Sequence, residues 1–478
     1  MGQLTTIARA EWRLWLRSRL AFGALLIFAL LLTSTSVVTA LRMSEAHHGR
    51  TEQQAGAEAT FLSQPDRHPH RMVHYGHYVF RAPPPLSMLD PGVDSVTGQS
   101  MFLEGHRQNT AMFADVRASA ELGGFEDLTT ALVYQLFLPL LLIAIGHGLI
   151  VREREENTLV PLLAQGVTGM QLYAAKWVAL AGASLALLLP LAVMCAVAIG
   201  RGAAPLASAG VVGIYTAYLL VWCSLILLVS STVRSRSLAL GILTLLWLGT
   251  ALIVPRIAVE SASSAIPVPG KLQTDLNMQA ELREVGDGHD ASAPGFQQLQ
   301  ANLLAQYDVT RLEDLPVNFR GVVSQAAEAD LTEVMNRHAE ERMALEAGQA
   351  RVAASFGWLS PVVAVAAGSR ALSGTDLATH HRFLREAEVV RFDFVQGLNR
   401  VHAEQLPYSD DINRNIDAEA AKRTRMSAEN WKVLDAFSFR PAATSERLSR
   451  ANTPAAMLFA WLAMLTAIGA LAARRMQP

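Results

Sequence analysis

Residues 152–177 read REREENTLVPLLAQGVTGMQLYAAKW, a charged and leucine-containing stretch that lies between two apolar runs. The runs on either side, residues 130–151 and 178–199, are each long enough to cross a bilayer as a helix. Two such crossings would hold the charged stretch on one side of the membrane. This placement decides how the rest of the chain is arranged.

The charged stretch itself has the pattern of an amphipathic helix. A helix that begins near Glu153 would put Leu159, Leu162 and Leu163 on one stripe and the acidic residues at its favourable N-terminal end. Gly166 is a natural stop for this helix. We therefore expect an element that lies on the membrane surface and can contact a partner outside the lipid. The alternative is a plain loop with a solvated run of charges.

Four further apolar runs complete a set of six predicted membrane helices. Arginines and Lys176 gather at the N-terminus, in the charged stretch, at Arg234 and after the last run, so the positive-inside rule predicts that both termini are cytoplasmic. Two polar regions would then be extracytoplasmic, a smaller one between the first and second crossings and a larger one between the fifth and sixth. The predicted order is a cytoplasmic amphipathic helix at 1–20, crossings at 21–41, 130–151, 178–199, 211–230, 236–257 and 454–473, and outer regions at 42–129 and 258–452.

The larger polar region has helical rather than strand periodicity. Apolar residues recur at helical spacing in four of its segments. The sequence therefore predicts an all-α membrane protein with a large helical extracytoplasmic domain. The predicted helices are residues 272–285, 296–307, 322–353 and 376–402, the last capped by Asp376.

Composition excludes several functional classes. The chain has 478 residues, 51% of them hydrophobic and 17% charged, and its net charge of −2 gives no attraction to nucleic acid. Its two cysteines, Cys195 and Cys223, both lie in apolar runs, which makes a disulfide framework improbable. No glycine-rich phosphate-binding loop ending in Lys and Ser or Thr is present, so we expect neither ATP binding nor catalysis by this chain.

A group of histidines is the strongest candidate for a metal site. His70, His74 and His77 are spaced at i, i+4 and i+7, which on a helix would place them on one face. However, residues 75–80 have an extended rather than a helical pattern, and no cysteine and few carboxylates lie nearby. We therefore predict structural or solvated histidines and assign no metal to the chain.

The charged stretch resembles the coupling helix of ABC-2-type permeases, which follows their second membrane helix. Two positions depart from the family pattern, because Asn157 replaces a usual glycine and Ala175 precedes the lysine where glycine is common. The residues that match are Glu153, Glu155, Thr158, Leu159, Leu162, Gly166 and Lys176.

The outer regions resemble the DUF3526 branch of the same permeases, which has enlarged extracytoplasmic loops. The first matching block includes Leu89, Asp90, Pro91 and Gly92. The second block includes Ser360, Pro361, Leu372, Gly374, Thr375, Asp376, His381 and Phe383.

The resemblance implies a subunit of a bacterial inner-membrane transporter that moves a substrate across the bilayer. ATP and Mg²⁺ would bind a separate cytoplasmic ATPase that docks on the coupling helix, and a second permease copy or homologue would complete the membrane part. The alternative is a non-transporting scaffold or mechanotransmitter whose outer domain acts on a periplasmic partner. The resemblance names no cargo and no direction of transport.

Overall fold

The computed structural model describes residues 2–112, 128–286, 288–434 and 436–476. Nearly all of its regular structure is helical, with one antiparallel pair of short strands, β1 His77–Phe80 and β2 Ser100–Leu103. The helices are α1 Gly2–Arg17, α2 Arg19–Leu62, α3 Pro69–Tyr75, α4 Thr130–Glu155, α5 Leu159–Ala164, α6 Gly169–Gly200, α7 Pro205–Thr232, α8 Arg236–Ala265, α9 Lys271–Val285, α10 Gln297–Gln306, α11 Phe319–Ser355, α12 Pro361–Ser373, α13 Leu377–Gln405, α14 Tyr408–Asn413, α15 Ala418–Arg423 and α16 Thr444–Arg474.

Six of the described helices are long and apolar enough to cross a membrane, namely α2, α4, α6, α7, α8 and α16. Each of the six apolar runs predicted from the sequence lies inside one of these helices, so the prediction of six candidate spans is confirmed. α1 matches the predicted N-terminal helix but ends at Arg17, and the Ser18 hydroxyl then caps α2 by accepting the amide N–H of Ala21 at 3.3 Å.

α2 is longer than the predicted first crossing. It runs for 44 residues without a break, so the polar residues after Leu41 continue the helix instead of starting a loop. The amide of Gln54 accepts the backbone N–H of Phe80 at 2.8 Å, and Glu58 accepts the N–H of Phe437 at 3.0 Å. The far half of α2 therefore belongs to the polar part of the molecule.

The two polar regions form one folded unit, which we call the polar domain: residues 47–112, 266–355 and 374–440, without 287 and 435. Its core combines Phe61, Val79 and Leu103 from the first region with Phe383 and Trp431 from the second. The four helices predicted from periodicity are confirmed as α9, α10, α11 and α13. Part of the first region, residues 113–127, lies outside the described residues.

One apolar helix of the larger polar region packs among the candidate spans. α12 has 13 residues, too few for a crossing, and it lies against α7 and α16. Gly368 allows this approach, because a Cβ there would collide with Ile214 of α7. The hydroxyl of Ser360 donates to the carbonyl of Thr250 at 2.6 Å, inside a π-helical turn of α8, Gly249–Ile253. α12 and the candidate spans together form one helical bundle. The assignment of all residues 258–452 to an outer domain thus overlooked a helix of this bundle.

We call the end of the bundle that lies away from the polar domain the basal end. α4 starts where Ala131 donates to the carbonyl of Leu89 at 3.0 Å, and it reaches the basal end at Glu155. α16 runs from the polar domain to the same end, where Ala473 contacts Gly169. α1 packs against α6 there, so α1 and the end of α16 both lie at the basal end with the charged stretch.

Candidate functional site

Four charged side chains form a buried ion-pair network at the basal end. The Lys176 ammonium contacts Glu11 and lies 2.7 Å from Glu153, and the Arg152 guanidinium donates twice to Glu11, at 2.8 and 3.1 Å. Lys176 and Glu11 are each 2% exposed. Two positive and two negative charges balance, which is how ionised groups remain stable when removed from water. The network joins α1, α4 and α6.

Glu11 is the member of this network that the sequence analysis missed. It is the only acidic residue of α1, and it lies one helical turn before Trp15, which is buried. The indole N–H of Trp12 donates to the carbonyl of Ala179 at 2.9 Å and fixes α1 against α6. The sequence signal for Glu11 was a lone carboxylate on the aromatic side of a basic helix. The residues that pair with Glu11 could not be known without the packing of α1 against the spans.

The predicted coupling helix is divided between the last turn of α4 and the short helix α5. α4 ends with a Schellman motif, in which the amide of Thr158 donates to the carbonyl of Glu153 at 2.9 Å and that of Asn157 to Arg154 at 3.2 Å. Asn157 has φ = 56°, in the left-handed region that glycine and asparagine tolerate best. This backbone requirement explains why asparagine can stand where the permease pattern has glycine. The prediction of one helix from Glu153 to Gly166 was therefore wrong at this turn.

The short helix α5 ends as predicted. Gly166 has φ = 87°, and a second Schellman motif forms as Val167 donates to Leu162 at 3.4 Å and Gly166 to Leu163 at 3.0 Å. Leu159 is buried and Leu162 is half-buried, whereas Val160, about 100° around the helix from Leu159, is 52% exposed. α5 is thus a small helical knob with an apolar outer face.

The remaining predicted residues attach this knob to the bundle. The Thr158 hydroxyl donates to the carboxylate of Glu153, which also pairs with Lys176. Glu155 accepts the backbone N–H of Arg236 at 2.7 Å and pairs with its guanidinium, at the start of α8. All seven residues taken from the permease pattern therefore lie in or beside one region, and three of them form ion pairs.

The three candidate histidines do not share one face. His70 and His74 lie one turn apart in α3, but α3 ends at Tyr75, and His77 is in β1, buried against the ring of Phe61. Burial lowers the pKa of His77 to about 4. The spacing at i+7 was misleading because Gly76, at φ = 69°, ends the helix before His77.

Two other histidines join His70 and His74, and we call the four residues the histidine cluster: His70, His74, His106 and His289. One ring nitrogen from each of the four lies within 4.8 Å of the others. The Nε2 atom of His70 is 3.2 Å from Nε2 of His74 and 3.3 Å from Nε2 of His289. Burial, followed by the other histidines, lowers the pKa of His70 to about 2 and also lowers that of His74.

His106 is held by a buried carboxylate. Its Nδ1 is 3.0 Å from Oε2 of Glu328, within ion-pair distance, and its backbone N–H donates to the same oxygen at 3.0 Å. Glu328 is fully buried and paired with Arg391, which also binds Glu388 at 2.8 Å. His106 has φ = 63°, an uncommon backbone conformation for a side chain of this size.

A second histidine–carboxylate group, formed by His68, His402 and Asp411, is structural. Asp411 accepts from His402 at 2.9 Å and from His68 at 3.1 Å, and it is also paired with Arg414 at 2.6 Å. These contacts satisfy the carboxylate and hold its pKa below the usual range despite burial. The arginine already occupies the position that a cation would need.

Comparison with known families identifies one segment of the chain. Residues 271–440 match the model described as "Domain of unknown function (DUF3526)". The match covers about a third of the chain and includes α9 to α15. It confirms the DUF3526 resemblance for this segment. No curated protein matches the chain.

Proposed function

We propose that this chain is the membrane subunit of an ABC-2-type transporter, with the basal end in the cytoplasm and the polar domain outside it. The observation that carries the proposal is the arrangement at the basal end. An exposed apolar knob, α5, lies between two spans, and a buried ion-pair network beside it joins those spans to each other and to α1. Thr158, directly before α5, donates its hydroxyl to Glu153 of this network. Because α5 follows α4 directly and Thr158 contacts Glu153, a push from a partner on α5 would reach α4, and the Glu153–Lys176 pair would pass it to α6.

The partner in this proposal is an ATPase subunit that binds ATP and Mg²⁺. Closure of the ATPase around nucleotide would displace α5, and the displacement would pass through Glu153 and Lys176 to the two spans. A second copy of this chain or a homologue would supply the rest of the membrane part. The DUF3526 match supports the proposal by family resemblance only.

Copurification tests the docking surface. A tagged chain should bring an ABC-type ATPase with it, and Val160→Asp should weaken this association at least about tenfold, because a carboxylate would enter an apolar interface. Ile416→Asp is the matched control, since Ile416 is 86% exposed but lies in the polar domain. Retention of the ATPase by the Val160 variant, or the absence of any ATPase, would contradict the proposal.

Cysteine labelling tests the orientation. Both native cysteines are buried, so a membrane-impermeant maleimide should react only with introduced ones. Applied to intact spheroplasts, the reagent should label Ile416→Cys and leave Gln165→Cys unlabelled until the membrane is opened. The reverse pattern would overturn the proposed topology.

A second candidate function is mechanical work on a periplasmic partner without transport of a solute. The continuous helix α2 favours it, because a 44-residue rod joins the bundle to the polar domain. Two glycines inserted after Gly49 would make the rod flexible. If the polar domain acts mechanically, this insertion should abolish the cellular function and leave ATP hydrolysis intact. Unchanged function would exclude this reading.

A further inference from the structure

We propose that His70, His74, His106 and His289 form a binding site for a divalent transition-metal ion, with Zn²⁺ as the ion whose geometry fits best. The site lies on the polar domain, far along the chain from the coupling residues, and the inference does not depend on the proposed transport function.

The spacing of the nitrogens carries the proposal. A tetrahedral zinc site with bonds of about 2.0–2.1 Å has nitrogens about 3.3–3.4 Å apart along each edge. The two Nε2–Nε2 distances that meet at His70 are 3.2 and 3.3 Å, so two edges of such a tetrahedron are already present. The widest separation between ligand nitrogens in the cluster is 4.8 Å at most. Small side-chain rotations that move a ring nitrogen by about an ångström would bring it towards the spacing of a tetrahedral site.

The chemistry of the donors selects the class of ion. Four imidazoles and no carboxylate suit zinc, copper or nickel, whereas calcium and magnesium require oxygen ligands. The Nε2 atoms of His70, His74 and His289 face one another at close range. Neutral imidazoles each carry one ring N–H, so some of these contacts place one lone pair against another. A cation placed among these converging nitrogens would bind their lone pairs at once.

His106 lies beside a carboxylate of the kind that supports metal-binding histidines. Its Nδ1 faces Glu328, which leaves Nε2 for the ion, and among the described residues neither ring nitrogen has a hydrogen-bond partner. Its side chain is nine-tenths buried. A carboxylate that accepts the other ring N–H of a ligating histidine orients the ring and strengthens the ligand, and Glu328 lies at the distance that this bond needs. The group of Glu328, Glu388 and Arg391 carries one net negative charge, which also favours a cation nearby.

The ligands come from two separate parts of the polar domain. Three precede α4, and His289 follows α9 within the segment matched by the DUF3526 model. The loop with His289 is placed by Gly288, which has φ = 74° and leaves no room for a Cβ beside Ala327 of α11. A bound ion would therefore fasten this loop to α3. His74 and His289 are exposed, so the ion would exchange with solvent and be removable by a chelator.

Metal analysis of the full chain in detergent, with the affinity tag removed, tests the site. After treatment with EDTA and addition of Zn²⁺ alone, wild type should retain one zinc per chain by mass spectrometry. His289→Ala should bind zinc at least about tenfold more weakly in competition with a chromophoric chelator. His48→Ala is the control, because His48 is exposed on α2 and pairs only with Glu52 at 3.2 Å among the described residues.

Melting temperature separates loss of the ion from loss of the fold. His289→Ala and EDTA-treated wild type should melt together, and added zinc should raise the melting temperature of wild type and His48→Ala only. Co²⁺ bound to wild type should give the intense visible absorption of a tetrahedral complex. Zinc far below one per chain in wild type, or equal zinc affinity in wild type and His289→Ala, would overturn the proposal.

Discussion

Removing one charge from the basal network should destabilise the bundle more than removing two opposite charges. Lys176→Met leaves Glu11 and Glu153 facing one guanidinium, and Glu11→Gln leaves two cations facing one carboxylate. Each single variant therefore carries an unbalanced buried charge. The double variant restores neutrality, because one cation, Arg152, and one carboxylate, Glu153, remain. These two groups lie 3.6 Å apart.

The expected magnitudes follow from the burial of the network. Lys176 and Glu11 are both 2% exposed, so each single substitution should lower the free energy of unfolding by about 3 kcal/mol, the lower end for buried pairs that lose one member. We take the lower end because each remaining charge keeps one partner. The double variant should lose at most about 2 kcal/mol, since apolar or neutral replacement of a buried pair is often nearly neutral. The two substitutions should therefore be strongly non-additive.

The two native cysteines provide the assay. Cys195 and Cys223 are buried in the bundle, so a thiol-reactive fluorophore reports its unfolding in detergent. The melting temperature should be highest for wild type, slightly lower for the double variant and lowest for the two single variants. Additive losses in the double variant, or single variants that melt like wild type, would refute the ion-pair account.

Two further predictions concern other parts of the fold. His77 is buried with a pKa of about 4, so its contribution to stability is complete above its unfolded pKa of 6.5 and is lost as the pH falls through 4. In denaturation measurements, His77→Leu should therefore abolish about 3 kcal/mol of the loss of stability between pH 7 and pH 4. The control variant His48→Leu should leave this loss unchanged. A decline with pH that is identical in wild type and His77→Leu would contradict this. Gly368→Val should lower the melting temperature of the bundle by driving a side chain into α7, whereas Gly213→Val, with open space around it, should leave it unchanged; equal effects would argue against the packing of α12.

The sequence predicted the six candidate spans well because a helix of this kind is specified by a long apolar run alone. It failed where length was not decisive. The helix after Leu41 continues into polar sequence, because its residues tolerate a helix and its far end packs against β1. α12 is apolar but shorter than a crossing, so only its contacts reveal that it belongs to the bundle.

The site was predictable in part for a similar reason. Glu153, Thr158 and Gly166 are neighbours along the chain, and local helix rules place them. Glu11 and His289 are brought to their partners by tertiary packing across more than a hundred residues, which no local pattern records. The i+7 spacing suggested His77 as a third ligand on the face of His70 and His74. His77 does not share that face, because Gly76, with its positive φ, ends the helix and a strand follows.

Photocrosslinking in living cells tests the central claim most directly. A benzophenone amino acid at position 160 places the reactive group on the exposed face of α5, and the same residue at position 416 is the control in the polar domain. The account predicts that position 160 forms a covalent adduct with a nucleotide-binding ATPase and that position 416 does not. An ATPase that copurifies with the chain but crosslinks only from position 416, or from neither position, would contradict it.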